Sequence, residues 1–164
     1  MPHSDILGQG PVVFDRAQLL VVDDDPQLGE ALRLLFRAQG YYVVAVQSGR
    51  AALEVLSRLQ VDLVITDMFM PDGDGLELVP ALIKSECQPA VIAMSGRNYS
   101  VLHDILRMAR ELGAAHSLQK PFTLEEILEA VKGILATRVR KNFVPVRRST
   151  IRLTLADLPS RGAQ

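Results

Sequence analysis

Cysteine and long apolar runs are scarce in this chain of 164 residues, and each scarcity limits what the protein can be. The single cysteine, Cys87, has no partner for an internal disulfide or for a cysteine metal site. No apolar run reaches the roughly 18 residues that a membrane helix needs. The N-terminus also lacks a basic stretch followed by an apolar one. The sequence therefore predicts a cytoplasmic protein without a disulfide.

The net charge of −1 conceals an uneven distribution of charged residues. Residues 1–136 contain 11 Lys and Arg against 18 Asp and Glu, which gives −7. Residues 137–164 contain 7 Lys and Arg against one Asp, which gives +6. We therefore predict an N-terminal extension over residues 1–17, an acidic domain over residues 18–136 and a basic tail over residues 137–164.

Short apolar runs alternate with longer amphipathic segments along the predicted domain. The runs that predict strands are Leu19–Val22, Tyr42–Val46, Val61–Thr66, Ala90–Met94 and Ala115–Gln119. The segments with a helical apolar stripe are Leu28–Ala38, Ala52–Leu59, Leu76–Ile83, Leu102–Leu112 and Leu124–Leu135. This alternation predicts an α/β fold with a doubly wound, five-stranded parallel sheet and helices on both faces.

Capping residues and one proline predict how several of these helices begin or break. Asp25 and Pro26 have the residue types of an N-cap and a first helical residue in front of the first helix. Thr123 and Glu126 have the spacing of a capping box in front of the last helix. Pro80 predicts an interruption or a bend in the third helix.

Polar side chains follow four of the five predicted strands, at the point where each strand ends. In chain order they are Asp23, Asp24, Asp25, Asp67, Ser95 and Lys120. In a doubly wound sheet, ligands bind beyond the carboxyl ends of the strands. We therefore expect these side chains to form one site. Taken singly, most of them also fit a structural role: Asp23–Asp25 could cap the first helix, Asp67 could be a loop acid and Lys120 could lie in a surface turn.

The residue types of this predicted site favour a divalent cation and a phosphoryl group. Two carboxylates about 4 Å apart repel each other by roughly 4 kcal/mol at an effective dielectric constant near 20. A set of oxygen ligands without His or Cys favours Mg²⁺, which completes its shell with water and phosphate oxygens. We predict that Asp24, with Asp23 beside it, holds the metal. Asp67 is the predicted nucleophile, and Ser95 and Lys120 are predicted to bind phosphoryl oxygens.

Four separated motifs resemble those of the response-regulator receiver domains of two-component signalling. They are Leu20–Asp25, Asp62–Gly75, Met94–Gly96 and Lys120–Phe122. The resemblance spans residues 18–136. It implies a flavodoxin-like sheet with strand order 2-1-3-4-5, and a signalling domain rather than an enzyme with separate substrates.

The resemblance also implies a mechanism and its partners. A sensor histidine kinase or a histidine phosphotransfer protein would donate a phosphoryl group from phosphohistidine to Asp67. Mg²⁺ would be held by Asp24, Asp67 and the main-chain carbonyl of Phe69, with Asp23 in support. A cis peptide bond is expected between Lys120 and Pro121.

Two features depart from the family pattern. Receivers commonly carry an aromatic residue three positions before the site lysine, where its rotation reports the phosphoryl state. Ser117 occupies that position here, with His116 before it. The stretch from Ser95 to Lys120 is also a few residues longer than in the best-known receivers. The sequence therefore predicts the phosphorylation chemistry and leaves the route of the output signal open.

The segment after residue 136 leaves several outputs open. Its length is too small for an output domain with its own core. The leading interpretation is a stand-alone receiver that signals through a downstream protein or passes the phosphoryl group along a relay, without binding nucleic acid. Ile151, Leu153 and Leu155 alternate with polar residues and would suit a strand or a contact within a homodimer. The alternatives are a DNA-associated transcriptional regulator acting through the basic tail, a fragment of a longer regulator, and a metal-dependent phosphatase.

Overall fold

The computed structural model describes residues 16–71, 74–85, 87–96 and 107–141. Its strands are β1 (Gln18–Val22), β2 (Tyr42–Val46), β3 (Leu63–Asp67), β4 (Ala90–Ser95) and β5 (His116–Gln119). Its helices are α1 (Pro26–Ala38), α2 (Gly49–Leu56), α3 (Asp74–Lys84) and α4 (Leu124–Lys141). Residues 107–111 are also helical.

The strands form one parallel sheet in the order β2-β1-β3-β4-β5. This confirms the predicted fold class and strand order. β3 is the central strand, and all five of its residues are buried. Burial on both faces explains why the central strands appear in the sequence as continuous apolar runs.

Two hydrophobic cores lie on opposite faces of the sheet, because alternate residues of each strand point to opposite sides. On one face, strand residues such as Val64 pack with Leu78 and Leu82 of α3. On the other face, strand residues such as Ile65 pack with Phe36 of α1 and Ile127 of α4. Each fully buried side chain of this size contributes about 1.5–3 kcal/mol.

The predicted helix caps are present. The Asp25 carboxylate accepts hydrogen bonds from the amides of Gln27 at 2.9 Å and Leu28 at 3.3 Å, so it caps α1. In front of α4, the Glu126 carboxylate accepts from the Thr123 amide at 2.7 Å. The Glu126 amide in turn donates to the Thr123 hydroxyl at 3.2 Å, which completes the capping box.

Several predicted boundaries differ from the structure. β3 begins at Leu63 rather than Val61, and it ends on Asp67 itself. The interruption predicted near Pro80 is wrong, because α3 remains helical from Asp74 to Lys84. Burial of three α3 side chains, those of Leu78, Val79 and Leu82, outweighs the backbone hydrogen bond that a proline cannot form.

The last helix is longer than the sequence pattern predicts. α4 continues beyond residue 136 to Lys141, and its Arg138 contacts the sheet. Residues 1–15, 142–164 and the first part of the predicted helix Leu102–Leu112 lie outside the described residues. The division into extension, domain and tail therefore stays a prediction. Among the described helices, none has both the length and the apolar character of a membrane span.

Candidate functional site

The carboxyl ends of four strands bring the predicted site residues to one edge of the sheet. Asp23 directly follows β1, and Lys120 directly follows β5. Asp67 and Ser95 are the last residues of β3 and β4. Asp23, Asp67 and Ser95 are buried, with exposed fractions of 1%, 7% and 0%. The sheet topology thus places two carboxylates, a hydroxyl and an ammonium group together.

Lys120 joins the two buried carboxylates. Its Nζ atom lies 2.7 Å from Oδ2 of Asp23 and 2.6 Å from Oδ2 of Asp67. These distances are typical of charge-assisted hydrogen bonds. A positive charge therefore already contacts the acceptor candidate, Asp67, from the side of β5.

Main-chain amides fix the other oxygen of each buried carboxylate. The Phe69 amide donates to Oδ1 of Asp67 at 2.8 Å. The Asp25 amide donates to Oδ1 of Asp23 at 2.9 Å. Each carboxylate is therefore held by its own main-chain amide and by the ammonium group of Lys120, which the two carboxylates share. In contrast, Asp24 is exposed.

Burial and charge act in opposite directions on the ionisable groups of the site. Burial raises the pKa of the Asp23 carboxyl, and the Lys120 hydrogen bond and charge offset part of this rise. Burial lowers the pKa of Lys120. The hydrogen bonds to Asp23 and Asp67 and the negative charges of these residues have the larger, opposite effect, so the pKa lies above its ordinary value. Lys120 is therefore positively charged at neutral pH.

The lysine is positioned by its main chain as well as by its charge. The Lys120 amide donates to the Ser95 carbonyl at 2.7 Å, which continues the pairing of β4 and β5. The peptide bond between Lys120 and Pro121 is cis, as the resemblance implied. A Cβ atom at Gly96 would lie 3.3 Å from Cβ of Lys120, so glycine gives the lysine side chain room to cross the site.

The Ser95 hydroxyl has donor and acceptor capacity that the described residues do not use. Its Oγ atom is buried and forms no hydrogen bond within the described part of the protein. Buried polar groups in folded proteins nearly always have a partner. The hydroxyl therefore has the property expected of a group that binds a ligand oxygen.

A comparison with known protein families identifies the family of this chain. Residues 19–132 match the model of the response regulator receiver domain. The chain belongs to this family. Receiver domains are signalling domains of two-component systems, and they are not classical enzymes.

Individual relatives agree with the assignment. The chain is 33% identical over 118 residues to sporulation initiation phosphotransferase F of Bacillus subtilis. This alignment covers 72% of the chain and 93% of that protein. A response regulator receiver domain protein from Clostridium thermocellum shares the fold with a TM-score of 0.69 and 27% identity. That comparison covers 76% of this chain and 98% of the other.

Longer regulators are similar over part of their length. The chain is 27% identical over 166 residues to the transcriptional regulatory protein TrcR of Mycobacterium tuberculosis, which covers 99% of this chain. The chain spans 62% of that protein, and 45% and 32% of two further curated transcriptional regulators.

The receiver site also has a donor set that fits a divalent cation. Receiver domains bind Mg²⁺ at an acidic pocket, and here Asp23, Asp24 and Asp67 each offer an oxygen within 4.8 Å of the others. Three carboxylates with one lysine leave a net negative charge when all are ionised. Oxygen ligands of this kind suit Mg²⁺ better than zinc or copper.

Ser117, at the position where receivers commonly carry an aromatic residue, forms a polar contact instead. Ser117 is 9% exposed, and its Oγ atom accepts a hydrogen bond from Nε of Arg110 at 2.8 Å. His116 is half-buried, and burial together with the Arg110 charge lowers the pKa of its imidazole. The receiver thus links β5 to the helical residues 107–111 through an arginine and a serine.

Sequence reasoning missed two residues next to the acceptor candidate, Asp67. The buried Thr66 hydroxyl donates to the Asp67 carbonyl at 3.1 Å. Gly75 of α3 packs directly on the main chain of Asp67 and Met68. The residue types gave little indication of either role, because Thr66 fits an ordinary strand and Gly75 an ordinary turn.

Proposed function

We propose that Asp67 accepts a phosphoryl group from the phosphohistidine of a sensor histidine kinase or a histidine phosphotransfer protein. The phosphorylated domain then signals through contact with a downstream protein in the cytoplasm. The observation that carries this proposal is the environment of the Asp67 carboxylate. It is buried, bonded to Lys120 and to a main-chain amide, and located at the edge where the Ser95 hydroxyl has no partner among the described residues.

The proposed reaction is the formation of an acyl phosphate. An oxygen of Asp67 forms a bond to phosphorus, while the bond from phosphorus to the donor's imidazole nitrogen breaks. The electron pair of that bond leaves with the imidazole. Lys120 and Ser95 contact the oxygens of the transferring group and stabilise their charge.

Mg²⁺ would be held by Asp24, Asp67 and the main-chain carbonyl of Phe69, with Asp23 in support. When bound, the ion neutralises charge on the phosphoryl oxygens and on the carboxylates. The Phe69 amide would keep the Asp67 carboxylate oriented toward the donor throughout. Asp23 would keep the Lys120 ammonium group in place through their 2.7 Å contact.

The direct test is covalent labelling with a small phosphodonor. Incubation with Mg²⁺ and acetyl phosphate should add one phosphate to the wild-type chain, as measured by intact-mass spectrometry. Asp67→Asn should abolish this gain. Asp25→Asn is the matched control, because asparagine also caps helices and the residue lies in the same acidic run. Labelling of Asp67→Asn to the wild-type extent would contradict the proposal.

A second candidate function is regulation of transcription through the C-terminal segment. It is favoured by the names of the longer relatives and by the 7 Lys and Arg of residues 137–164. Binding of this kind depends steeply on salt, because lysine and arginine displace cations from the phosphates. A mobility shift of duplex DNA that weakens with salt would support it. No shift at low salt would exclude it for this chain.

A further inference from the structure

Gly75, the second residue of α3, lies against the main chain of the strand end that carries Asp67. A Cβ atom at this position would lie 2.3 Å from the carbonyl oxygen of Asp67. It would also lie 2.8 Å from the Cα and the carbonyl carbon of Met68. Atoms do not approach this closely without displacement. Any side chain at position 75 would therefore move backbone on one side of the contact.

The backbone angle of Gly75 does not account for the glycine. The described glycines with positive φ are Gly40 and Gly113, and Gly75 is not one of them. Gly75 lies within a helix, where alanine is intrinsically more favourable than glycine. Glycine is required at position 75 because it has no side chain.

The segment that Gly75 contacts determines the geometry of the acceptor. The Phe69 amide donates to the Asp67 carboxylate at 2.8 Å, and the Met68 amide donates to the Met94 carbonyl at 2.8 Å. The Thr66 hydroxyl donates to the Asp67 carbonyl at 3.1 Å. The acceptor carboxylate is thus attached to a short piece of main chain that is held on several sides.

The helix cannot easily make room by moving away. Leu78, Val79 and Leu82 of α3 are 2%, 0% and 1% exposed within the core. Displacement of α3 would loosen all three side chains, and packed cores resist such shifts. A side chain at position 75 would therefore displace the Asp67–Phe69 segment as well as the helix.

We propose that Gly75 is a positioning residue of the phosphoryl-acceptor site. By letting α3 pack directly on the Asp67–Met68 peptide, it fixes the Phe69 amide and carbonyl, and with them the acceptor carboxylate. Asp23 and Lys120 directly follow other strands, β1 and β5, so a shift of the Asp67 segment would misalign the acceptor relative to both. This inference rests on the proposed function.

The test compares Gly75→Ala with Gly133→Ala, which places alanine at an exposed helical glycine where nothing lies within 4 Å. Three quantities are measured: Mg²⁺ affinity by calorimetry, the initial rate of labelling by acetyl phosphate at saturating Mg²⁺, and the Phe69 amide shift in metal-free NMR spectra. Circular dichroism establishes that each variant is folded. A small displacement of reacting groups commonly costs about tenfold to a hundredfold in affinity or rate.

Folded Gly75→Ala is expected to lose about tenfold or more in Mg²⁺ affinity and labelling rate, with a shifted Phe69 amide signal. Gly133→Ala should stay within about twofold of the wild type in both. Folded Gly75→Ala with wild-type affinity, rate and amide shift would overturn the proposal. If the wild type takes up no phosphate, the proposed function fails, and the metal affinity and the amide shift still decide the role of Gly75.

A second pair of variants covers the case in which Gly75→Ala does not fold. Thr66→Val removes the hydroxyl that holds the Asp67 carbonyl while keeping the side-chain shape, and Thr66→Ser keeps the hydroxyl. If the position of this peptide sets the acceptor geometry, Thr66→Val slows labelling and shifts the Phe69 amide signal, and Thr66→Ser restores both toward wild type. Equal behaviour of the two variants would overturn the proposal.

Discussion

Ser95 is a residue whose expected contributions to ligand binding and to the stability of the fold have opposite signs. Its hydroxyl is buried at 0% exposure without a partner among the described residues. A buried hydroxyl in that condition costs about 1–3 kcal/mol. A ligand oxygen that pairs with the hydroxyl would remove this cost, so the serine is better explained by binding than by folding.

Replacing Ser95 should therefore change labelling and stability in different directions. Ser95→Ala should keep or raise the free energy of unfolding, by up to about 1 kcal/mol. It should slow labelling by acetyl phosphate by about tenfold or more, because one donor to the phosphoryl oxygens is lost. Urea unfolding and a mass-spectrometric time course measure the two effects. Ser95→Thr, which keeps a hydroxyl, is the control and should retain most of the rate.

Lys120 balances two buried carboxylates with a single charge. Without it, Asp23 would be buried with one amide partner and, within the described part of the chain, no other cation in contact. Its pKa, already raised by burial, would rise further. A carboxyl with a raised folded pKa contributes stability that is complete below its unfolded pKa. That contribution is lost as pH rises through the folded pKa.

The loss of stability in Lys120→Met should therefore depend on pH. Near pH 7 the variant should lose about 2 kcal/mol or more, because Asp23 is ionised in the unfolded chain and costly to bury charged. Near pH 4, close to the ordinary pKa of Asp, the loss should be smaller because Asp23 is protonated in the folded variant. Urea unfolding at both values tests this, with the exposed Lys132→Met as control. Equal losses at the two values would contradict the explanation.

At the scale of helices and strands, the sequence predicted the features that depend on interactions between residues close together in the chain. The Asp25 cap and the Thr123–Glu126 capping box were predicted because each bond joins residues a few positions apart. The predicted interruption at Pro80 is wrong, whereas the alternative of a bend there stays a prediction. The local cost of proline is offset by core contacts of α3 that the local pattern does not specify. Strand and helix types were therefore predictable, whereas their ends depend on tertiary contacts.

α4 is held at its C-terminal end by Arg138. Its guanidinium group donates to the main-chain carbonyls of Asp62 and Gln88, which precede β3 and β4. Gln88 has a positive φ of 37°, which is uncommon for a residue other than glycine. The arginine thus ties the last helix to the edge of the sheet opposite the candidate site.

Removal of this guanidinium group should lower stability without affecting the chemistry. Arg138→Met should reduce the free energy of unfolding by about 1–2 kcal/mol, since two carbonyls lose a charged donor. Lys132→Met removes an exposed cation from the same helix and should change it by less than about 0.5 kcal/mol. Denaturant titration measures both, and labelling by acetyl phosphate should stay at the wild-type rate. Equal stability of the two variants would show that Arg138 does not anchor the helix.

At the scale of the whole molecule, topology explains which part of the candidate site was predictable. Parallel strands end at one edge, so Asp23, Asp67 and Ser95 could be grouped from their positions after apolar runs. The contact of Gly75 with the Asp67 main chain joins a helix to a strand in three dimensions. The bond from Arg110 to Ser117 likewise joins a helix to an edge strand. Neither contact has a periodic pattern in the sequence.

The acidic edge should make the stability of the whole fold depend on Mg²⁺. A ligand that binds the folded chain alone stabilises it by about 2.7 kcal/mol at one hundred times its dissociation constant. For a chain of this size, that corresponds to an increase in Tm of about 5–10 °C. Asp24→Asn should remove most of this increase. Its Tm without metal should stay equal or rise slightly, because one of three mutually repelling carboxylates is gone.

Thermal unfolding followed by circular dichroism, with and without Mg²⁺, measures this dependence. Asp25→Asn is the control, since it removes an equal charge next to Asp24 while keeping the cap of α1. It should retain the increase in Tm. A general effect of ionic strength would raise the Tm of both variants equally and would also appear with NaCl of matched ionic strength. A specific site requires that Mg²⁺ stabilise the wild type and Asp25→Asn, and leave Asp24→Asn nearly unchanged.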